Sequence, residues 1–382
     1  GSPGTKVKLR IERPGDKKPF VLELTREEVD VPNVPFSGML SDHVGYVSLT
    51  TFTQQAGSNI SQAFMDLKAK DPELRGLIID LRDNGGGLLH EAVNICNIFI
   101  PKGELVVSTK GKVSETDKNY KTTNAPVDVK IPLVILVNNR SASASEIVSG
   151  TIQDLDRGVV MGQLTYGKGL VQNTKEIGYN ARLKLTTAKY YIPSGRCIQA
   201  VRYKNGEPEH VADSERARFK TRNGREVLDG GGVKPDVVLP APAANALIKA
   251  LDDQNILFDY VTEYCLRFDS IAGPELFQFT EWDGFVKYLD QRKFTYKTAS
   301  EEAIEKLKKE AEKENVSTTL QASIQAMESQ LLAFRQQSLT ENKKDIIRLI
   351  EEQIIGRYYF DKGRKQLGLR NDPEIMEAVK LL

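Results

Sequence analysis

The stretch LRGLIIDLRDNGGGLLHEAVNICNIFI (residues 74–100) decides the fold of this 382-residue chain. It starts with a continuous apolar run of strand length, passes through three consecutive glycines, and ends with apolar residues at helical spacing. A buried strand followed by a glycine turn and a helix is typical of α/β proteins, whose ligands bind beyond the carboxyl ends of the strands. We therefore predict an α/β core with its functional residues at those strand ends.

The same alternation of strands and helices continues on both sides of this stretch. VGYVSL (44–49) and IPLVILV (131–137) have the composition of buried strands. Helices are predicted over 58–69 and 89–100, and a third begins near Ser145. The core therefore extends from about residue 31 to 240, with a mixed, partly parallel sheet.

The amino-terminal segment predicts a β-hairpin. TKVKLRIER and FVLELT, within residues 5–25, alternate apolar and polar residues around the turn-forming PGDKKP. Two strands alone do not form a stable domain. We expect residues 1–30 to pack on a neighbouring module or to be the end of a longer one.

The composition changes at LPAPAANAL (239–247), where proline and alanine indicate a hinge. Beyond it, apolar residues recur at helical spacing over 318–336 and 343–366, and Thr298 to Glu301 has capping-box spacing. A last short helix is expected after Asp372-Pro373. Residues 241–382 are therefore predicted to form an all-α C-terminal domain.

Composition excludes several classes of function. The 53 Lys and Arg residues balance 52 Asp and Glu residues, and this net charge of +1 gives no electrostatic reason to expect nucleic acid as a partner. No apolar run is long enough to span a membrane. The three cysteines, Cys96, Cys197 and Cys265, are too scattered for a disulfide framework or a metal knuckle, and we expect buried thiols.

The first candidate site is the glycine run Gly85-Gly86-Gly87. Glycines between a strand and a helix let the backbone approach a ligand closely and expose its N–H groups, as an oxyanion hole or a phosphate cradle requires. A tight turn without a ligand explains the same pattern equally well.

The second candidate site is VNNRSASASEIVSG (137–150), in which Ser141, Ser143 and Ser145 alternate with alanine between a strand and a helix. A serine at such a junction lies near the positive end of the helix dipole, which favours the negative charge that develops when the serine acts as a nucleophile. Serine also commonly begins helices, and we expect at least one of the three to be such an N-cap, with Ser145 or Ser141 preferred.

The third candidate site is GVVMGQLTYGKGLVQ (158–172). Gly162 to Lys168 follows a phosphate-binding loop for seven positions, but Gly169 replaces the hydroxyl residue and a strand is expected next in place of a helix. Lys168 is otherwise either a surface lysine or a general base, because a desolvated amine accepts a proton from serine more readily.

Other hydrolytic sites are weaker. His43, His90 and His210 do not lie in a nucleophile-elbow setting, and no HExxH or paired zinc-ligand spacing occurs. If a serine reacts, Lys168 is therefore its best base.

Six ordered motifs resemble the carboxyl-terminal processing proteases, also called tail-specific proteases. The motifs are GYVSLTTF, LIIDLRDNGGG, SASASEIVSG, TYGKGLVQ, AKYYIPSGRCIQ and GGVKPDVVLP, all between residues 45 and 240. The resemblance implies a crotonase-like α/β protease core over residues 31–240, preceded by a PDZ domain of which residues 1–30 are the closing hairpin.

The resemblance also implies the catalytic roles. Ser143 is the nucleophile, Lys168 the base 25 residues later, and Gln172 the residue that holds the lysine amine. The N–H groups of Gly86 and Ala144 would bind the oxyanion, and the implied mechanism needs no metal or cofactor. It further implies an endopeptidase of the periplasm or cell envelope that cleaves proteins near their C-termini.

Two departures from the family pattern affect these expectations. No carboxylate-binding GLGF-like loop precedes the hairpin, and Gly85 stands where many relatives have proline. A scaffold or peptide-binding protein that keeps the protease fold is therefore the alternative function. The C-terminal helices are expected to pack on the core, and dimerisation or binding of an adaptor are the other roles that their apolar stripes fit.

Overall fold

The computed structural model describes residues 1–29, 31–112, 117–204, 207–210, 212–240 and 245–382. The strands are β1 (Lys6–Ile11), β2 (Phe20–Thr25), β3 (Phe36–Met39), β4 (Val44–Ser48), β5 (Gly76–Asp80), β6 (Leu105–Gly111), β7 (Lys118–Lys121), β8 (Leu133–Val137), β9 (Val159–Gly162), β10 (Leu170–Glu176), β11 (Arg182–Tyr191), β12 (Val201–Lys204), β13 (Glu207–His210), β14 (Arg218–Lys220), β15 (Glu226–Leu228) and β16 (Val237–Val238). The helices are α1 (Ala56–Lys70), α2 (Leu89–Phe99), α3 (Ala144–Asp154), α4 (Ala246–Asp253), α5 (Ile256–Cys265), α6 (Trp282–Gln291), α7 (Ala299–Lys313), α8 (Ser317–Glu341), α9 (Lys343–Asn371) and α10 (Pro373–Leu381).

A six-stranded sheet in the order β16-β9-β8-β5-β4-β3 organises the first unit, and all of its pairs are parallel except β3 with β4. Val47, Ile79, Ile135 and Val160 are opposed in register across it and belong to one buried cluster with residues of α1, α2 and α3. The predicted α/β core with a partly parallel sheet is confirmed. Because β5, β8 and β9 are parallel, the three candidate segments leave the sheet at the same edge.

A second, antiparallel sheet in the order β10-β11-β6-β7 belongs to the same unit. It receives the chain directly after Lys168, since β10 starts at Leu170. The strand expected beyond Lys168 is therefore present, and the helix that a phosphate-binding loop requires is not.

The chain divides into two compact units. Residues 30–241 with 371–382 form the α/β unit, and residues 1–29 with 242–370 form the helical unit. This division differs from the predicted one at both chain ends: the hairpin groups with the helices, since its turn at Gly15 lies against Leu266, and residues 371–382 group with the α/β core. The PDZ origin of the hairpin remains a prediction, and the predicted hinge at 239–247 lies partly outside the described residues.

The helical unit has its own apolar core, in which Val261, Phe285, Ile350 and Ile354 are fully buried. The helix α7 begins with the predicted capping box, because the Thr298 hydroxyl accepts from Glu301 N–H and the Glu301 carboxylate accepts from Thr298 N–H. In the part of the chain that the structure describes, no helix has both the length and the apolar character needed to cross a bilayer.

The three cysteines form no disulfide among the described residues; Cys96 and Cys197 are buried as predicted, and Cys265 is half-buried. Burial raises the pKa of the Cys96 thiol to about 12. This residue is therefore a packing residue of α2.

Candidate active site

Ser143 lies immediately before the first residue of α3. It is the N-cap, and its backbone has φ +58° and ψ −113°, a region that a non-glycine residue occupies only under strain. An N-cap among the three serines is confirmed, but the preference for Ser141 or Ser145 is wrong, because both hydroxyls are used elsewhere: Ser141 donates to Leu81 C=O at 2.8 Å and Ser145 to Asn84 C=O at 2.9 Å. Ser143 is therefore the serine of the three whose hydroxyl has no such backbone carbonyl partner among the described residues.

The glycine turn, residues 82–87, lies directly against this serine. Gly86 has φ +96°, and a Cβ atom placed on it would lie 2.6 Å from the Ala142 oxygen and 2.8 Å from Ser143 Cβ. Only glycine fits both the conformation and the space. The close backbone approach expected of this glycine run is therefore present.

Asn84 shapes the turn from inside. It is fully buried, its amide nitrogen donates to Leu49 C=O at 2.8 Å, and its Oδ1 accepts from Gly86 N–H at 2.9 Å. Its own C=O accepts from Ala142 N–H at 3.0 Å. Gly86 N–H is thus already hydrogen-bonded, whereas Ala144 N–H, at the first position of α3, has no partner among the described residues.

Glu146 joins the serine to the lysine. Its carboxylate is fully buried, and one atom, Oε2, accepts from both Ser143 N–H and Lys168 N–H at 2.8 Å. The other atom, Oε1, accepts from Gly167 N–H and from the Thr165 hydroxyl, both at 2.6 Å. The backbones of Ser143 and Lys168 therefore lie against the same oxygen atom, although 22 positions separate Lys168 from Glu146.

The electrostatics of Glu146 follow from this burial. Loss of hydration raises the pKa of the carboxyl group, whereas the hydrogen bonds from Thr165, Lys168, Ser143 and Gly167 lower it, and the net shift is upward. These donors also use the backbone N–H groups that a phosphate-binding loop would need for its ligand. The geometry of the lysine turn, residues 163–169, therefore contradicts a nucleotide site there.

Tyr190 is a further polar residue at this place. It is buried, its hydroxyl donates to the Lys168 carbonyl oxygen, and its phenol hydrogen-bonds with Ser143. Burial and the charge of Glu146 raise its pKa well above the ordinary tyrosine value. Tyr190 therefore acts here as a neutral hydrogen-bonding group.

Gln172, in contrast, is exposed. It lies on β10 at a register shift and is paired with Thr186, and the described residues show no side-chain hydrogen bond from it to Lys168. His43 and His90 are half-exposed or more and take no part in these contacts, and the His210 side chain lies outside the described residues. The structure thus brings together Ser143, Ala144, Gly86 and Lys168, but not Gln172.

Sequence reasoning missed Glu146, Asn84 and Tyr190. The first had a readable signal, since Ser143 and Glu146 have the spacing of a capping box. Asn84 and Tyr190 had no such signal in the sequence, because each acts through a residue of a distant segment, Leu49 for Asn84 and Lys168 for Tyr190.

Two family models match the chain. Residues 43–207 match the family described as Peptidase family S41, and residues 247–382 match "Probable PDZ-protease, C-terminal helical domain".

Two curated relatives match about half of this chain. A carboxy-terminal-processing protease of Bartonella bacilliformis is 37% identical over 203 residues, which are 53% of this chain and 46% of that protein. A chloroplastic C-terminal processing peptidase of Tetradesmus obliquus is 31% identical, with 53% and 45% covered. The chain spans less than half the length of these relatives.

Among solved structures, a photosystem II D1 C-terminal processing protease aligns with a TM-score of 0.42 and 27% identity, covering 63% of this chain and 56% of that one.

Proposed function

We propose that this chain, whose residues 43–207 match peptidase family S41, is a serine endopeptidase that cleaves protein substrates near their C-termini. Ser143 is the nucleophile and Lys168, acting in its neutral form, is the general base. The observation that carries this proposal is the Glu146 carboxylate, which holds the N–H groups of Ser143 and Lys168 on one oxygen atom.

The reaction is acyl transfer. Lys168 Nζ takes the proton of Ser143 Oγ while that oxygen attacks the peptide carbonyl carbon. The lysine then gives the proton to the leaving amine as the C–N bond breaks, which leaves an acyl-enzyme. A water molecule, deprotonated by Lys168, hydrolyses the ester and restores Ser143.

The oxyanion is bound at the start of α3. Ala144 N–H has no partner among the described residues and lies next to the nucleophile at the positive end of the helix dipole, which supports it as one donor. Gly86 N–H is the second proposed donor, and it would turn from Asn84 Oδ1 to the substrate oxygen when the tetrahedral intermediate forms.

Gln172 is proposed to hold the lysine amine once substrate is bound. Its support is its place on β10, four residues after Lys168, together with the family resemblance. Its exposed side chain has to turn toward Lys168 to do so. The periplasm or cell envelope is the proposed location, also by resemblance.

The test is cleavage of an unstructured protein by the full chain and by the variants Ser143→Ala and Lys168→Ala. We expect each variant to lose at least about 10³-fold in kcat, because nucleophile and base act as one unit. Lys175→Ala is the matched control and should keep wild-type activity. Lys175 is an exposed lysine of β10, the strand that follows Lys168.

Unchanged cleavage in either active-site variant would overturn the assignment. Absence of cleavage by the wild-type chain, together with no acylation of Ser143 by a serine-directed probe in intact-mass analysis, would favour the scaffold alternative.

A further inference from the structure

The guanidinium of Arg82 lies between carboxylates from two elements of the α/β unit. It contacts Asp80, at the end of β5, at 2.7 Å, and the two acidic residues at the start of α10, Asp372 at 2.8 Å and Glu374 at 2.6 Å. Its side chain is 16% exposed and that of Glu374 is 18% exposed. These are partly buried, charge-assisted contacts, which are stronger than exposed ion pairs.

The same Glu374 carboxylate binds a second segment. Its Oε1 accepts from Gln163 Nε2 at 2.6 Å, while its Oε2 contacts Arg82. Gln163 comes directly after β9 and is held to β8 by its N–H, which donates to Val137 C=O at 3.1 Å. One carboxylate of α10 therefore joins the first residue of the glycine turn to the first residue of the lysine turn.

The helix α10 is itself fixed along the sheet. Asp372 caps its start by accepting from Glu374 N–H at 2.9 Å, and Ile375 and Ala378 are buried. At its other end Leu382 packs against Gly76, where an added Cβ would lie 3.0 Å from the leucine side chain. The contacts at Arg82 and Gly76 place α10 over the whole length of β5, so Glu374 has a defined position at the catalytic edge.

Arg82 and Gln163 are close in sequence to the proposed reacting groups. Arg82 is followed by Asp83, which has φ +61°, and then by Asn84 and Gly86. Gln163 is followed by Thr165, which bonds Glu146, and by Lys168. The glycine turn and the lysine turn, whose separation matters for the proposed reaction, thus both contact the side chain of Glu374.

We propose that α10 is a positioning element of the active site, in which Glu374 holds the glycine turn and the lysine turn at their working separation through Arg82 and Gln163. The proposal rests on the proposed peptidase function. Its physical basis is that a displacement of about 1 Å between reacting groups costs about 10²-fold in rate, whereas substrate contacts elsewhere are unaffected. A helix that only covers the sheet would affect stability and leave the rate of the folded protein unchanged.

The test is the variant Glu374→Gln in the full chain, which keeps the size of the side chain and removes its charge. We expect kcat to fall about tenfold, with KM within about twofold, in protein that is folded at the assay temperature. The matched control is Glu377→Gln on the same helix, whose carboxylate is half-exposed and pairs only with Lys380 among the described residues. This control should keep wild-type kcat.

A second variant tests the other contact of the same carboxylate. Gln163→Ala should lower kcat about threefold, and the double variant with Glu374→Gln should be little slower than Glu374→Gln alone, because both act through one group. Equal kcat values for Glu374→Gln, Glu377→Gln and wild type would overturn the proposal, as would fully additive losses in the double variant.

Amide hydrogen exchange separates this proposal from the proposed function. If the wild-type chain has no Ser143-dependent cleavage, the peptidase assignment fails, and exchange over residues 82–87 and 163–168 then decides the positioning role. Faster exchange in both segments for Glu374→Gln than for Glu377→Gln supports it, and equal rates overturn it.

Discussion

The glycine turn and the lysine turn occupy equivalent places after the parallel strands β5 and β9, yet different kinds of residue hold them. The glycine turn is shaped from within by the neutral amide of Asn84, which bonds Leu49 C=O and Gly86 N–H. The lysine turn is held from outside by the carboxylate of Glu146, a residue of α3. A backbone turn can therefore be fixed by its own side chain or by a neighbouring helix, and only the second arrangement also joins the proposed nucleophile to the proposed base.

The largest effect in this comparison is expected when Glu146, which holds the lysine turn from α3, is removed. Glu146→Ala leaves the N–H groups of Ser143, Gly167 and Lys168 and the Thr165 hydroxyl without their acceptor. We expect the free energy of unfolding to fall by about 3–5 kcal/mol and kcat/KM by at least about 10²-fold, measured by urea denaturation and by cleavage.

The matched control for this substitution is Glu351→Ala in the helical unit, where the buried carboxylate accepts one backbone hydrogen bond, from Phe279 N–H at 2.8 Å. It should cost less stability and leave the cleavage rate of the folded protein unchanged. Equal losses in the two variants would show that Glu146 has no special relation to the proposed catalytic pair, Ser143 and Lys168.

A smaller effect is expected from a single methyl group in the glycine turn. Gly86→Ala adds a Cβ at φ +96° that meets the Ala142 oxygen and Ser143 Cβ, so we expect a loss of about 2–4 kcal/mol in stability and about 10²-fold in kcat. Gly85→Ala is the control, because a Cβ there meets no atom within 4 Å and its φ lies outside the left-handed region. If the two variants had the same activity, close contact of the turn with Ser143 would not be needed.

The smallest effect is a pH dependence of the free energy of unfolding, which we expect from the titratable Glu146 and not from the neutral amide of Asn84. Burial raises the pKa of Glu146, so the folded protein holds this proton more tightly than the unfolded chain. The free energy of unfolding should therefore fall as the pH rises from the ordinary glutamate range to the raised pKa, and stay level above it, as far as this group is concerned.

This contribution is measured as the difference in free energy of unfolding between wild type and Glu146→Gln at a series of pH values. The difference should change across that window, whereas the difference between wild type and Asn84→Ala should not, since the amide does not titrate. A pH-independent difference for Glu146→Gln would contradict the raised pKa.

Much of the fold was predictable because it depends on neighbours in sequence. The helices expected over 58–69 and 89–100 are observed as Ala56–Lys70 and Leu89–Phe99, and the strand expected after Lys168 is β10. Periodicity of apolar residues and glycine turns carry this information locally. The N-cap of α3 shows the limit of prediction from sequence. It is Ser143 and not Ser141 or Ser145, because the three alternating serines differ only in the distant residues that they contact.

The sequence by itself determined the amino-terminal hairpin, the buried strands with the helices that follow them, and the three polar segments at strand ends, since periodicity and turn chemistry act between residues a few positions apart. Tertiary structure alone decided that Glu146 holds Ser143 and Lys168 on one oxygen atom, and that residues 371–382 join the α/β unit. The physical reason is that these hydrogen bonds link residues up to 292 positions apart, as between Arg82 and Glu374. Such a contact exists only after the strands and helices that carry both residues have packed.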